Sequence, residues 1–274
     1  MKHFSFHQQG QRPYQEDHFY ADPKLGLWIV CDGVGGANRG EVASQLAIQT
    51  IVQAVKEDGI LPTRKEAIQQ LILKIEEAFA QALQKDPAHQ GMATTLTLLY
   101  LHENGATAAH IGDSRIYWLQ PRHKRYWHTR DHSLVQDLYD AGLIKSEEAM
   151  KEHPRRNVIT KALSAKNTPA GQHPSTKSLQ GLEAGDILLL CSDGVLEPFS
   201  ERGLTEILAA PNASLREKTE TIRQACEQDS RDNNTAILIE LETGDLPLTN
   251  SGKAPSDFPW RRLHAGPTML SDTP

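Results

Sequence analysis

Helical periodicity in this chain comes in adjacent pairs and does not alternate with strands, which argues against a regular succession of βαβ units. Val42, Leu46, Ile51 and Val55, with Ala43, Ala47 and Ala54, repeat at the spacing of an amphipathic helix. A second set follows: Ile68, Leu71, Ile72, Ile75, Phe79, Ala82 and Leu83 continue until Pro87 stops them. Thr63 and Glu66 have the spacing of a capping box at its start. A second helical pair is expected around Gly203 to Leu208 and Leu215 to Gln228. Strand-like runs surround these pairs: the opening residues, Phe19-Tyr20, Leu25 to Cys31, Thr94 to Leu101, Ala106 to Ile111, Arg115 to Leu119 and Thr235 to Leu241. Glu103-Asn104-Gly105 marks a hairpin turn, and Leu182 to Leu190 reads as a strand pair around Glu183-Ala184-Gly185-Asp186. Short connections imply antiparallel pairing. The expected fold is α+β: a four-layer α-β-β-α sandwich, two antiparallel sheets flanked by helices.

A chain of 274 residues, 38% of them hydrophobic, can bury a sizeable core. Composition changes after Glu242 to Gly, Pro, Ser, Thr and Asp, so one domain over 1–242 and a disordered tail over 243–274 are expected. Trp260-Arg261-Arg262 is either a short docking element or part of that solvated tail. A charged helical insertion is expected over about 133–163. The net charge of -6 argues against a non-specific nucleic-acid binder. Cys31, Cys191 and Cys226 are too few and too scattered for a disulfide framework or a CxxC zinc site and read as core thiols. No secretory leader and no apolar run of about 20 residues is visible, so a cytoplasmic protein is expected.

Asp17, Asp32, Asp193 and Asp232 each sit beside an apolar run and among small or polar turn residues. One such aspartate is ordinary turn chemistry. Several gathered at the edge of a core would repel one another and lose hydration, and a pair of hard divalent cations is the economical remedy.

These residues stand within a larger ordered set: Arg12-x-x-x-Glu16-Asp17, Asp32-Gly33-Val34-Gly35-Gly36, Gly91-Met92-Ala93-Thr94-Thr95, Gly112-Asp113-Ser114-Arg115, Asp131-His132-Ser133, Asn157 to Leu163, Ser192-Asp193-Gly194 and Asp232-Asn233-x-Thr235. In that order they resemble the metal-dependent protein phosphatases of type 2C, in their bacterial serine/threonine form. The resemblance spans Arg12 to Thr235. It implies a phosphatase acting on phosphoserine and phosphothreonine, opposing a bacterial Ser/Thr kinase. Two Mn²⁺ or Mg²⁺ ions are implied, with Asp32 bridging them, the Gly33 carbonyl ligating one, and Asp193 and Asp232 holding the other. Glu16 and Asp17 would act through metal-bound waters, and two such ions would lower the pKa of a bridging water towards neutrality. Asp113 would serve a third, weaker ion; the alternative is a turn aspartate capping backbone amides. Arg12 would grip the phosphate; in isolation it would read as a surface arginine paired with Glu16. Arg115, Asp131, Thr160 and His132 read as structural. The insertion around 133–163 corresponds to the family's flap. Expected partners are phosphorylated proteins, among them a Ser/Thr kinase and its substrates, with no nucleic acid and no membrane, and the chain is expected to be a monomer.

The sequence also departs from the family. Val34 stands where eukaryotic relatives place a histidine, Gln15 replaces the usual Asn, and Lys161 the usual Arg. A cysteine phosphatase would need an arginine six residues after its nucleophile, where Ala37, Glu197 and Asp232 stand instead. A zinc hydrolase lacks its helical His pair. A non-catalytic module with this fold would have lost ligands that are all present here, and an enzyme for small phosphate esters is the remaining rival.

Overall fold

The computed structural model describes residues 1–35, 39–165, 173–245 and 255–263. Gly36 of the glycine-rich turn, and 246–254 and 264–274 of the expected tail, lie outside them. In chain order the elements are β1 (Lys2–Gln8), β2 (Asp17–Asp22), β3 (Leu27–Val34), α1 (Arg39–Lys56), α2 (Lys65–Lys85), β4 (Ala93–Thr94), β5 (Leu96–His102), β6 (Gly105–Ile111), β7 (Arg115–Gln120) and β8 (Arg125–His128). Then come α3 (Leu134–Asp140), α4 (Glu147–Lys151), β9 (Leu163–Ser164), β10 (Ser175–Leu179), β11 (Ile187–Cys191), α5 (Glu201–Ala209), α6 (Leu215–Asp229), β12 (Asn234–Glu240) and β13 (Arg261–Arg262).

Among the described residues the strands form two antiparallel sheets. One runs β1-β12-β11-β7-β8-β13; the other runs β10-β6-β5-β3-β4-β9, with β2 also paired to β3. The pleat sends alternate side chains to opposite faces, and both faces here are buried. On β3, Leu27, Ile29 and Cys31 pack against Ile51 of α1 and Ile72 and Phe79 of α2. Trp28 and Val30 face the other way, meeting Trp118, Leu190, Ile237 and Ile239 of the facing sheet. That sheet's outer side, with Leu189 and Leu238, is covered by Leu204 and Leu208 of α5 and Ile222 of α6. The layers are therefore α-β-β-α, as the paired helices imply. Cys31, Cys191 and Cys226 are buried free thiols. No helix among the described residues is long and apolar enough to cross a membrane.

Local expectations are corrected in three places. Thr63 and Glu66 do not form a capping box: α2 starts at Lys65, with Arg64 at its N-cap and no side-chain cap. The Thr63 carbonyl is drawn instead onto β6, where it accepts the Thr107 hydroxyl at 3.1 Å. Ser214 and Glu217 do form such a box at the start of α6. Leu182 to Leu190 is not a strand pair, because β10 ends before it and belongs to the sheet facing β11. The 183–186 turn is a crossing between sheets, held by the Asp186 carboxylate, which accepts from Trp118 Nε1 at 2.8 Å and Gln120 Nε2 at 2.9 Å.

The third correction concerns the tail. Residues 255–263 are not loose: Arg261 and Arg262 pair with Tyr126 and Arg125 of β8. Phe258 and Leu263 are buried at 6% and 7% exposure, a burial that an unstructured tail would not give them. Isolated apolar residues in a polar stretch sufficed because Phe258 and Trp260 join the inter-sheet core while Leu263 joins the core under α5 and α6.

Trp118 joins these layers, fully buried, with its ring centroid 4.5 Å from that of Trp260 and 5.3 Å from that of Phe258. Trp118→Ala should lower unfolding free energy by about 3–5 kcal/mol in a urea titration. A loss below about 1 kcal/mol would mean that the inter-sheet core does not depend on it.

Candidate metal centre

Antiparallel pairing of β2 with β3 sets Asp17 directly opposite Asp32. Pairing of β11 with β12 sets Cys191 opposite Ala236, so the end of one strand meets the start of the other. Asp193 and Asp232 lie just beyond those ends and come together for that reason. The two sheets are joined here through Asp17, whose Oδ2 accepts the hydroxyls of Ser192 and Thr235, each at 2.7 Å.

Glycine makes this convergence possible at two positions. A Cβ on Gly194 would lie 2.1 Å from the Asn233 carbonyl oxygen. One on Gly33 would lie 2.2 Å from the Gly40 carbonyl oxygen and 2.6 Å from that of Glu16. The requirement at Gly33 is therefore close backbone packing between β3 and the start of α1.

The threonine and serine motifs brace the main chain around Asp32. Its N–H donates to Thr95 Oγ1 at 3.0 Å, and its carbonyl accepts from Thr94 Oγ1 at 2.9 Å and the Thr95 N–H at 2.8 Å. Thr95 Oγ1 in turn lies 2.7 Å from Ser114 Oγ, linking the Asp113 turn. Asn233 staples the loop before β2: Oδ1 accepts the Glu16 N–H at 2.8 Å, while Nδ2 donates to the carbonyls of Gln9 and Tyr14. Glu197 Oε2 accepts the Arg231 N–H at 2.7 Å and so fixes the loop carrying Asp232. Sequence reasoning assigned no role to Ser192, Thr235, Asn233 or Glu197. Three of them flank the expected ligands within the same motifs, which was the available signal; Glu197 had none.

The electrostatics are unbalanced. Asp17 is fully buried, and burial pushes its carboxyl up to about 7, with the charges of Asp193 and Asp232 adding and the two hydroxyl donors opposing. Burial, then Asp232, pushes Asp193 up to about 6. Asp32 and Asp113 are held well above the usual carboxylate range, first by burial and then by their acidic neighbours. Glu16 is raised by burial, and its Oε1 accepts the Gly40 N–H at 3.2 Å. Asp17 Oδ1 and Asp193 Oδ1 are buried without a hydrogen-bond partner. Arg12 answers part of this charge from the rim: its guanidinium, 53% exposed, donates to Asp232 Oδ2 at 2.5 Å. Its ion-pair partner is thus Asp232 and not Glu16.

Among the described residues, no group of three or more His, Cys, Asp or Glu closes around one point. Hard divalent ions that keep several waters need only one or two carboxylates each, and two unsatisfied carboxylate oxygens within a cluster raised by burial and then by mutual repulsion suit such ions. Asp113 and Asp193 also line an open groove of about 530 Å³ that continues past Lys151, Arg156 and Arg231. All the expected site residues, Arg12, Glu16, Asp17, Asp32, Gly33, Asp113, Asp193 and Asp232, are therefore linked by contact, register or mutual charge at one end of the sandwich.

Arg115, Asp131, His132 and Thr160 tie this end to the 133–163 insertion. Arg115 donates to both carboxylate oxygens of Asp131 at 2.7 Å. His132 accepts the Gly112 N–H at Nδ1, lies 2.9 Å from Ser175 Oγ through Nε2, and stacks on His110. Its carbonyl accepts the Thr160 N–H at 2.8 Å.

A family model for protein phosphatase 2C matches residues 5–227. A serine/threonine phosphatase of Listeria innocua, stp, is 34% identical over 236 residues, covering 84% of this chain and 91% of that protein. The crystal structure of the Mycobacterium tuberculosis serine/threonine phosphatase PstP/Ppp superposes with a TM-score of 0.77 at 31% identity, over 88% of this chain and 98% of the other. The PstP catalytic domain in complex with two manganese ions superposes with a TM-score of 0.74 at 29% identity, over the same shares.

Two outcomes are expected from this geometry. Unfolded aspartates titrate near ~3.9, whereas Asp17 in the fold titrates at about 7. Between those values the folded state binds more protons, so Asp17 costs stability increasingly as pH rises through that window. In chelator, Asp17→Asn should therefore gain melting temperature over the parent at neutral pH and lose the advantage near about pH 4. A constant difference across that range would contradict the assignment. Gly194→Ala should displace the Asp193 and Asp232 loops and remove nearly all metal-dependent activity; activity within about twofold of the parent would show that the close approach is dispensable.

Proposed function

The chain belongs to the protein phosphatase 2C family and is a serine/threonine phosphatase, and on that premise we propose that it hydrolyses phosphoserine and phosphothreonine in proteins at a pair of divalent cations. One observation supports this above the others: distant carboxylates meet at one end of the two sheets, raised by burial and mutual repulsion, with two oxygens unsatisfied. In this reading 1–242 is the catalytic domain, with its flap at about 133–163. Asp32, the Gly33 carbonyl, Asp193 and Asp232 would hold the two ions, and Asp113, which lines the same groove as Asp193, would hold a third and weaker one. The all-oxygen donor set suits Mn²⁺ or Mg²⁺. Once bound, the ions supply positive charge to the phosphate and a water acidic enough to deliver hydroxide near neutral pH.

The chain's own residues do the rest. Arg12 stands at the rim with one of its five N–H donors committed to Asp232, leaving a planar fork that matches a phosphate. Asp17, fixed by Ser192 and Thr235, and Glu16, fixed by the Gly40 N–H, orient water at the edge of the centre. Val34 is apolar and 36% exposed, so it offers no proton to the departing serine or threonine oxygen. The substrates are phosphorylated proteins, and the reaction opposes that of a Ser/Thr kinase.

Asp32→Ala or Asp193→Ala should lower turnover of a phosphothreonine peptide by about 10²-fold or more while the chain stays folded by circular dichroism. Full turnover in chelator would sink the metal-dependent mechanism. Arg12→Ala should raise the KM for the peptide by about tenfold, and an unchanged KM would remove its role. Comparing the phosphoproteomes of cells carrying the parent and Asp193→Ala forms should reveal phosphoserine and phosphothreonine sites that accumulate. A phosphoproteome unchanged between the two would count against protein substrates and point to small phosphate esters.

A further inference from the structure

Residues 255–263 lie beyond the 5–227 stretch that matches the family model, yet they are built onto the body of the fold. Phe258 and Trp260 close over Trp118, the Arg125 guanidinium lies 4.1 Å from the Trp260 ring centroid, and the Leu263 N–H donates to the Lys124 carbonyl at 2.9 Å. Between these anchors β13 pairs with β8.

Arg261 reaches outward from this strand to two helices at once. Its Nη1 donates to Glu201 Oε1 at 2.6 Å, on the first residue of α5, and to Glu147 Oε1 at 3.3 Å, on the first residue of α4. Glu201 is only 10% exposed and also accepts the Tyr126 hydroxyl and contacts His128 Nε2 at 3.1 Å, so its position is set by the body. Glu147 belongs to the flap. A helix of five residues has too few internal bonds to hold itself, so α4 depends on its outside contacts. At its far end the Lys151 ammonium donates to the carbonyls of Leu196 and Phe199.

Beneath α4 is a cavity of about 90 Å³ lined by Arg261, Glu147, Met150 and Lys151. Met150 and Lys151 also line the groove that contains Asp113 and Asp193. The residue gripped by the tail is thus one helical turn from the wall of that groove.

We propose that the docked segment 255–263 is a strap, and that Arg261 is a positioning residue which holds flap helix α4 in register with the groove where the protein part of the phosphorylated substrate lies. The kinetic side of this rests on the phosphatase reading; the mechanical side does not. Arg261 and Glu147 are about half exposed, so their pair is a modest contact and its loss should act by about two- to fivefold. A small ester such as p-nitrophenyl phosphate reaches only the metal centre, whereas a phosphopeptide also lies along the groove.

The test uses the full chain with Arg261→Gln, Arg261→Lys and Glu147→Ala. Arg261→Gln should speed amide hydrogen exchange at 147–151 by about two- to fivefold and raise the phosphopeptide KM by a similar factor. The kcat, and turnover of p-nitrophenyl phosphate, should stay within about twofold, and Arg261→Lys should restore part of both effects. Unchanged exchange at 147–151 overturns the strap whether or not the chain turns over phosphopeptide. Faster exchange with an unchanged phosphopeptide KM overturns the positioning role. Should Arg261→Gln unfold the chain, Glu147→Ala removes the acceptor from the flap side and is read in the same way.

Discussion

Carboxylates that share a partly buried space oppose their own assembly, and everything around this centre serves to hold them there regardless. Asp17 is pinned by two hydroxyls from the facing sheet, Asp32 by the main chain and side chains of Thr94 and Thr95, and the Asp232 loop by Glu197 and Asn233. None of these contacts neutralises charge. They fix position only, and the fold is left with a standing demand for positive charge that Arg12 meets in part from the rim. Carboxylates fixed in this way must either hold protons or gain positive charge from outside.

The same constraint explains why the sandwich is needed. Asp17 and Asp32 come from one sheet, Asp193 and Asp232 from the other, and only face-to-face packing of the two brings their ends together. The core of Trp28, Val30, Trp118 and Leu190 between the sheets therefore sets the spacing of the acidic groups as surely as the loops do.

Much of this was legible in the sequence because period and motif agreed. The apolar repeats of α1 and α2 and the continuous apolar runs of β3 and β12 carried the architecture, and the acidic motifs carried the site. Where the reading failed, a contact distant in sequence had overridden a local pattern. Thr63 has the spacing of a cap, but its carbonyl is claimed by Thr107; Leu182 to Leu190 looks like a hairpin, but β10 is claimed by the opposite sheet. β10, Ser175–Leu179, is mostly polar and β8 only four residues long, so neither gave a periodic signal. In the tail the structure decides between two open readings: Trp260-Arg261-Arg262 docks, and the sparse apolar residues Phe258, Trp260 and Leu263 gave too little pattern to decide it beforehand.

The pairing of β1 with β12 sets Lys2 opposite Glu240 and Gln8 opposite Asn234. A ribosome making this chain releases the first strand long before β12, its neighbour in the sheet order, exists. Until then Phe4 and Phe6 have no strand beside them, and the first sheet cannot close. Completion of the acidic end therefore waits on translation of β12 and the loop before it, so a nascent enzyme has no assembled centre with which to act on phosphorylated proteins around it.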